Sequence, residues 1–493
     1  MSAPAVTPHA PAPTKRDRAR RTELWLLLLA LGLFAFATVI VEIAQDQPIG
    51  LDLAKYVAAF AAIYLVVHFA VRFLAPHADP LLVPVVALLN GLGLVLIHRL
   101  DLGARNTAET LPSAIDVRNN ADQQLLWTAV GVIAFVAVLY FLPDHRTLAR
   151  YAYTLGFGGL FFLALPILLP DSISTVPATD DLKQDAAKLW IRTPFFSIQP
   201  SEFAKVALIV FTAALLVSKR DLFTTAGKRI WRLDVPRARD MGPLLLAWLL
   251  AFAIFGLQRD LGPALLIFMT ILTMLYIATG RVTWVVIGLT LFAISAVVAY
   301  HLPQFHHIHN RVEIWKDPFA DPTGSGMQIV QSLFGLANGG LFGTGLGSGR
   351  PNMVPLANTD FILASLGEEL GLVGLAAVLC LFLVLGMRGL RTGITVRDSF
   401  GKLLAAGLAA TLVIQLFIVG GGVTKLIPLT GLTTPFLSYG GSSLVANFIL
   451  LALLVRVSNA AREPQQAKPA GPTLTSMPTT ALEIPSTTAG GEG

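Results

Sequence analysis

PALLIFMTILTMLYIATGRVTWVVIGLTLFAISAVVAYHL, residues 263–302, is two apolar runs joined by Gly280 and Arg281. Each run is close to the roughly 20 residues that an α-helix needs to cross a bilayer. The pair reads as a transmembrane hairpin, and the same pattern recurs along the chain. Of the 493 residues, 54% are hydrophobic and 13% charged, against about 25% charged in a soluble domain. This composition excludes a soluble enzyme. It predicts an all-α polytopic integral membrane protein with about 12 transmembrane helices. Their expected limits are 23–43, 55–75, 80–98, 125–142, 150–170, 203–219, 241–257, 263–279, 282–302, 361–387, 400–422 and 441–458.

Charge sets the orientation. The net charge is +6, and in a membrane protein such an excess gathers in cytoplasmic loops, so it does not call for nucleic acid. With the N-terminus inside, the inner loops hold Lys15 to Arg21, Arg146 and Arg150, Lys219 to Arg239, Arg388, Arg391 and Arg397, and the tail. Both termini are therefore expected in the cytoplasm. Residues 1–22 read as a flexible basic N-terminus, 23–458 as the membrane domain, and 459–493 as a disordered tail rich in Pro, Thr, Ala and Gly. The apolar run after the basic segment is too long for a signal-peptide core, so it reads as an uncleaved anchor. Cys380 is the single cysteine, which excludes an intrachain disulfide.

The longest interruption follows residue 302. Residues 311–371 read RVEIWKDPFADPTGSGMQIVQSLFGLANGGLFGTGLGSGRPNMVPLANTDFILASLGEELG. A long polar loop between spans is functional or disordered. Here Ile329, Val330, Leu333, Phe334 and Leu336 keep near-helical spacing, which predicts a loop folded onto the membrane surface. The topology puts four polar motifs on the outer face: IRTPFFSIQPSEFAK (191–205), QRDLG (258–262), the loop 303–360, and KLIPLTGLTTPFLSYGGSS (425–443).

Each motif has a structural and a chemical reading. Ser201 reads as an N-cap with Glu202 in the first turn. Lys205 lies on the same face, and a cation inside a membrane needs a partner or a polar cavity. Arg259 and Asp260 read as a charged turn with Gly262 allowing the bend. Asp321 is either a cap for the helix starting near Met327 or a positioned general base. Glu368 and Glu369 lie inside an apolar run, where ionisable groups mark functional candidates. Lys425 is placed to counter a phosphate, and Ser438 belongs to a glycine-flanked turn. Asp360 beside Thr359 reads as an N-cap. GTGLGSG (343–349) is not a nucleotide loop, because no Lys-Ser or Lys-Thr follows and no strand precedes it. His306, His307 and His309 read as a solvated patch, since no further ligand follows at zinc spacing.

From about Pro80 to Val457 the chain resembles the SEDS family of RodA, FtsW and SpoVE proteins, nearer its RodA branch. The resemblance rests on QPSEFAK (199–205), DPTGSGMQIVQS (321–332), TDFILASLGEELGLVG (359–374) and PLTGLTTPFLSYGGSSL (428–444). Family members usually have about ten spans, so the helices at 23–43 and 55–75 are additions. Arg259 also departs from the usual pattern. The resemblance implies a peptidoglycan glycosyltransferase that polymerises lipid II at the outer face of the bacterial cytoplasmic membrane. It further implies a role in cell-wall elongation, a class B penicillin-binding protein as transpeptidase partner, and other elongation or division proteins as companions. The catalytic position it carries over is Asp321. Substrate-binding candidates are Lys205, Glu202, Arg192, Asp260, Arg259, Gln328, Lys425, Ser438, Glu368 and Glu369.

The implied reaction inverts the donor sugar by one displacement. It needs a base for the acceptor hydroxyl and positive charge for the departing pyrophosphate. Asp321 is expected as base, with a pKa raised by burial or a neighbouring carboxylate. Lys205 is expected at the leaving group, with Arg192, Arg259 or Lys425 as alternatives. The residues establish no cofactor. A divalent cation, Mg²⁺ or Mn²⁺, is a candidate to share that task, held by Glu202 or Asp260. The rival readings are a lipid II flippase and a non-catalytic scaffold of the elongation or division machinery.

Overall fold

The computed structural model describes residues 15–110, 119–174, 188–193, 197–219, 228–230, 233–235 and 242–464. The tail from 465, the first 14 residues and most of the Lys219 to Arg239 cluster lie outside the described residues. The membrane helices are α1 (Lys15–Ala44), α2 (Leu51–Leu74), α3 (Leu82–Thr110), α4 (Asn120–Phe141), α5 (Ala152–Leu168), α6 (Pro200–Ser218), α7 (Gly242–Gln258), α8 (Leu261–Thr279) and α9 (Val282–His301). After them come two shorter helices of the long loop, α10 (His306–Lys316) and α11 (Met327–Gly339). The bundle closes with α12 (Ile362–Thr395), α13 (Ser399–Val423) and α14 (Gly441–Arg462).

Each expected span coincides with one helix. Among the described residues, 10 helices are long and apolar enough to cross a membrane. The other two, α5 and α7, are apolar helices of 17 residues. Two short hairpins pair Ile191–Arg192 with Ser197–Ile198 and Lys228–Ile230 with Leu233–Val235.

Burial sorts the helices into a centre and a rim. α14 is buried almost continuously from Ser442 to Asn459, and α13 is nearly as enclosed. The most apolar stretch of α3 is 83% buried, that of α9 only 11%. Apolar residues that stay exposed on the rim, such as Trp25, Phe36, Phe157 and Val297, form the surface that lipid covers.

The N-terminal boundary needs correction. α1 begins at Lys15, so residues 15–22 are helical rather than a flexible tail. The cause is Arg20, buried and bonded to Glu23 and to the Ala78 carbonyl. Glu23 Oε1 also lies 2.9 Å from His68 Nδ1. A buried cation with a carboxylate and a carbonyl as partners fixes the segment that carries it. At the other end α14 runs past 458 to Arg462, which pairs with Asp79. Ser458 Oγ accepts the Asp79 N–H at 3.0 Å and Asn459 Oδ1 accepts the His77 N–H at 2.8 Å. The last turn of the bundle is thus tied to the start of α3.

Candidate active site

Lys205 sits one turn into α6, buried, with three acceptors. Its Nζ donates to Glu202 Oε2 at 2.6 Å, to Gln415 Oε1 of α13 at 3.2 Å and to Asn447 Oδ1 of α14 at 3.3 Å. An ammonium has three N–H groups, so this set satisfies it fully. The amides extend the network. Gln415 Nε2 donates to the Thr433 carbonyl at 2.8 Å, and Asn447 Nδ2 to Ser443 Oγ at 3.3 Å. Three helices and the 424–440 loop therefore converge on one charge. The pairing changes the expected role of Lys205: its charge is already compensated by Glu202, which weakens it as the cation for a leaving pyrophosphate. Gln415 and Asn447 were not singled out from sequence. The available signal was a polar amide in the middle of an apolar helix. The cap of α6 is Gln199 rather than Ser201, because Pro200 fills the first helical position and Ser201 is buried in the second.

The hairpin between α7 and α8 bends at Arg259, not at Gly262. Asp260 N–H donates to the Phe255 carbonyl at 3.1 Å and Arg259 N–H to that of Gly256 at 3.2 Å, with Arg259 at φ 58°. The end of α13 repeats this motif. Leu426 N–H donates to Gly421 O at 2.7 Å and Lys425 N–H to Gly422 O at 3.2 Å, with Lys425 at φ 60°. Glycine is the usual occupant of such positions. Two cations occupy them here, where the helix dipole favours positive charge but the backbone is strained.

Asp260 follows, buried, and among the described residues its Oδ2 has no hydrogen-bond partner. Burial lifts its pKa to about 7, Arg311 pulls it down, and Glu202 and Asp360 push it up. Asp360 is half-buried and raised to about 6, again by burial against the pull of Arg311. It is not the expected cap, since Phe361 holds that position of α12. Arg311 lies on α10 and donates Nη1 to the Leu429 carbonyl at 2.8 Å. Burial lowers its pKa while Asp260 and Asp360 raise it. Trp315 Nε1 donates to the Lys425 carbonyl at 3.0 Å, so α10 is strapped to the 424–440 loop. This strap brings Arg311 into the field of two carboxyl groups. In the sequence Arg311 offers only a cation one turn from a helix start, which is uninformative alone.

Asp321 is exposed. Its Oδ1 accepts Gly324 N–H at 3.1 Å, and its Oδ2 accepts Ser325 N–H at 2.8 Å and Ser325 Oγ–H at 3.1 Å. The backbone and hydroxyl bonds of Ser325, then the Gly324 N–H, hold its pKa below the usual carboxylate range. The raised pKa expected of a buried base is therefore absent here, because solvent and three donors stabilise the ionised form. The same bonds close the turn before α11. That helix is docked by Ser332 Oγ, which donates to the Val423 carbonyl at 3.2 Å, and it buries Ile329 and Val330 while Phe334 stays exposed. Gln328 is half-buried in its first turn.

The remaining candidates lie apart or have structural partners. Glu369 pairs with Arg99 Nε at 2.9 Å and accepts Gly347 N–H at 3.1 Å, and Glu368 accepts Arg350 N–H at 2.8 Å. Both carboxylates hold the glycine loop. Ser438 Oγ donates to the Thr359 carbonyl at 2.6 Å and accepts Thr434 N–H at 2.8 Å, which fixes the 434–438 turn. Arg192 is half-buried in the short hairpin before α6. Among the described residues no three His, Cys, Asp or Glu side chains converge to hold a metal ion. The described residues do not make a protein-only metal site. An apolar cavity of about 460 Å³ opens beside Phe203, lined also by Phe141, Leu155, Val206 and Leu453.

The family model described as "Cell cycle protein", covering FtsW, RodA and SpoVE, matches residues 79–463. The peptidoglycan glycosyltransferase RodA of Mycobacterium tuberculosis is 55% identical over 465 residues, 94% of each chain. That of Mycobacterium leprae is 52% identical over 466 residues, 94% of this chain and 95% of its own. Among solved structures, a chain from work on the coordination of polymerization and crosslinking by a peptidoglycan synthase complex is 25% identical. Its TM-score is 0.54, covering 76% of this chain and 98% of that one.

Proposed function

From the premise that this chain belongs to the FtsW, RodA and SpoVE family, we propose that it is a peptidoglycan glycosyltransferase that polymerises lipid II at the outer face of the bacterial cytoplasmic membrane during cell-wall elongation. The observation that carries this reading is the 55% identity to a RodA over 94% of both chains. The outward placement of the long loop rests on the positive-inside pattern, with both termini cytoplasmic. A class B penicillin-binding protein is the proposed partner. The structural relative from a synthase complex that couples polymerization to crosslinking supports it.

The reaction joins an acceptor hydroxyl oxygen to the anomeric carbon of the donor while the bond from that carbon to pyrophosphate breaks. The hydroxyl proton goes to a base and the electron pair leaves with the pyrophosphate. We assign the base to Asp321, ionised and exposed on the turn before α11. Substrate would have to replace the Ser325 and Gly324 donors and desolvate the carboxylate, which raises its proton affinity. Lys425 and Arg311 are the cations proposed for the leaving group, with Arg192 and Arg259 at its edge. The Glu202–Lys205 pair positions α6 against α13 and α14. The apolar cavity beside Phe203 suits part of a polyprenyl tail, so the sugars react above while the lipid stays in the bilayer.

The test is polymerisation of purified lipid II by the reconstituted protein, alone and with its penicillin-binding partner, beside Asp321→Asn. Glycan strands made by the native protein and lost in the folded variant support the assignment. Lipid II crossing vesicle membranes with no strands formed would favour a flippase instead. A second reading, with Asp260 as base, is favoured by its Oδ2, which has no partner among the described residues, and by its pKa near 7. It predicts that Asp260→Asn, not Asp321→Asn, abolishes strand formation.

A further inference from the structure

α1 and α2 precede the family domain, which begins at residue 79, and the proposed chemistry does not use them. We infer that this N-terminal pair is a positioning element: it braces the glycine loop 341–349 and, through that loop, sets the tilt of α11 and the place of Asp321. The inference rests on the polymerase reading above.

The contact is direct. Gln45, just past α1, donates its Nε2 to the Gly347 carbonyl at 2.6 Å across 302 residues. The N–H of the same glycine is held by Glu369. Gly347 has φ +85°, and a Cβ built there would stand 2.7 Å from the Ala44 Cβ. The loop therefore lies backbone-close against the end of α1, and a side chain would push the two apart. A second layer supports the first. Glu42 lies 2.9 Å from His98 Nε2, and α2 stacks Tyr56 on the His98 ring at 5.6 Å. The neighbouring Arg99 donates to Glu369 and, at 2.7 Å, to the Gly349 carbonyl. At its other end α1 is anchored by Arg20 to the Ala78 carbonyl. The helix thus spans the bundle, pinned to the start of the family domain at one end and to the glycine loop at the other.

The loop continues α11. Gly343 N–H donates to the Gly339 carbonyl at 2.8 Å, and Leu372 N–H to that of Gly340 at 3.0 Å. The opposite end of α11 carries the Asp321 turn, through Gly326 N–H on the Asp321 carbonyl at 3.0 Å. With 13 residues this helix is about 20 Å long. A tilt of about 3° at the loop end then displaces the Asp321 end by about 1 Å, and a misplacement of about 1 Å at a reacting group costs up to about 100-fold in rate.

The experiment uses the full chain carrying Gln45→Ala. Lys55→Ala, on the exposed face of α2 in an exposed pair with Asp52, is the control. Amide hydrogen exchange across 341–349 and the kinetics of lipid II polymerisation are measured on both. Gln45→Ala should speed exchange in 341–349 about fivefold, the worth of one hydrogen bond. It should lower kcat roughly tenfold with KM within about twofold, because the reacting group moves while substrate contacts remain. Lys55→Ala should change neither. A brace with only a structural role would lower the yield of folded protein and leave kcat per folded molecule unchanged. Unchanged exchange overturns the inference, and so does faster exchange with unchanged kcat. If the native protein forms no strands, the polymerase reading fails and Asp321 positioning fails with it, while the exchange arm still decides whether α1 holds the loop.

Discussion

Replacing Lys425 by glycine and by alanine separates backbone strain from charge. Lys425 lies at φ 60° after the last turn of α13, and its carbonyl accepts Trp315 Nε1. Both substitutions preserve these backbone bonds and both remove the ammonium. A side chain in the left-handed region costs about 1–2 kcal/mol. Glycine relieves that cost and adds about 0.5–1 kcal/mol of chain entropy loss. The balance makes Lys425→Gly more stable than the native protein by up to about 1.5 kcal/mol, whereas Lys425→Ala keeps the strain and gains nothing. Activity should move the other way. A charged hydrogen bond to a pyrophosphate oxygen is worth about 1.5–3 kcal/mol, so both variants should lose about 10- to 100-fold in kcat/KM. Thermal unfolding of the reconstituted protein and initial rates of strand formation read the two effects separately. The reasoning is refuted if both variants polymerise within about twofold of native, since the strained cation would then serve no substrate. Equal stability of the glycine and alanine variants would refute the strain itself.

Lys205→Ala leaves Glu202 buried without its cation, and should destabilise the protein by about 3–5 kcal/mol; the double change Glu202→Leu with Lys205→Met should recover most of that stability in unfolding assays. Asp260 carries a pH signature. Burial raises its folded-state pKa from an ordinary 3.8 to about 7, so between those values the folded chain holds a proton that the unfolded chain has released. Stability should therefore fall as pH rises from about 4 to about 7, by about 4 kcal/mol at most, and level off above. Asp260→Asn should remove that fall, and parallel pH profiles of native and variant unfolding would contradict the assignment. If Asp260 is also the base, the native rate should rise with pH to a plateau just above 7, a rise absent from an Asp321-driven reaction.

What the sequence revealed followed the range of the physics involved. Crossing a bilayer demands a continuous apolar run, which is local, and each expected span coincides with a helix. The Glu202–Lys205 pair is equally local, an i,i+3 contact inside one turn. Gln415 and Asn447, which complete the Lys205 shell, stand 210 and 242 residues away, and no spacing rule connects them. The boundary at residue 22 failed for the same reason: Arg20 looks like part of a basic tail until Ala78 and Glu23 are seen around it. Rules that treat intramembrane charge as a mark of function select Glu368 and Glu369, yet the backbone of the glycine loop occupies both. Asp260 reads from its spacing as a turn residue and is a substrate-binding candidate only through the family resemblance, and among the described residues its buried Oδ2 has no hydrogen-bond partner. A charge kept in an apolar chain therefore signals only that something balances it. Where the balance is another fixed group of the protein, the charge organises the fold. Where it is incomplete among the described residues, as at the Asp260 Oδ2, the missing partner is the place to look for substrate.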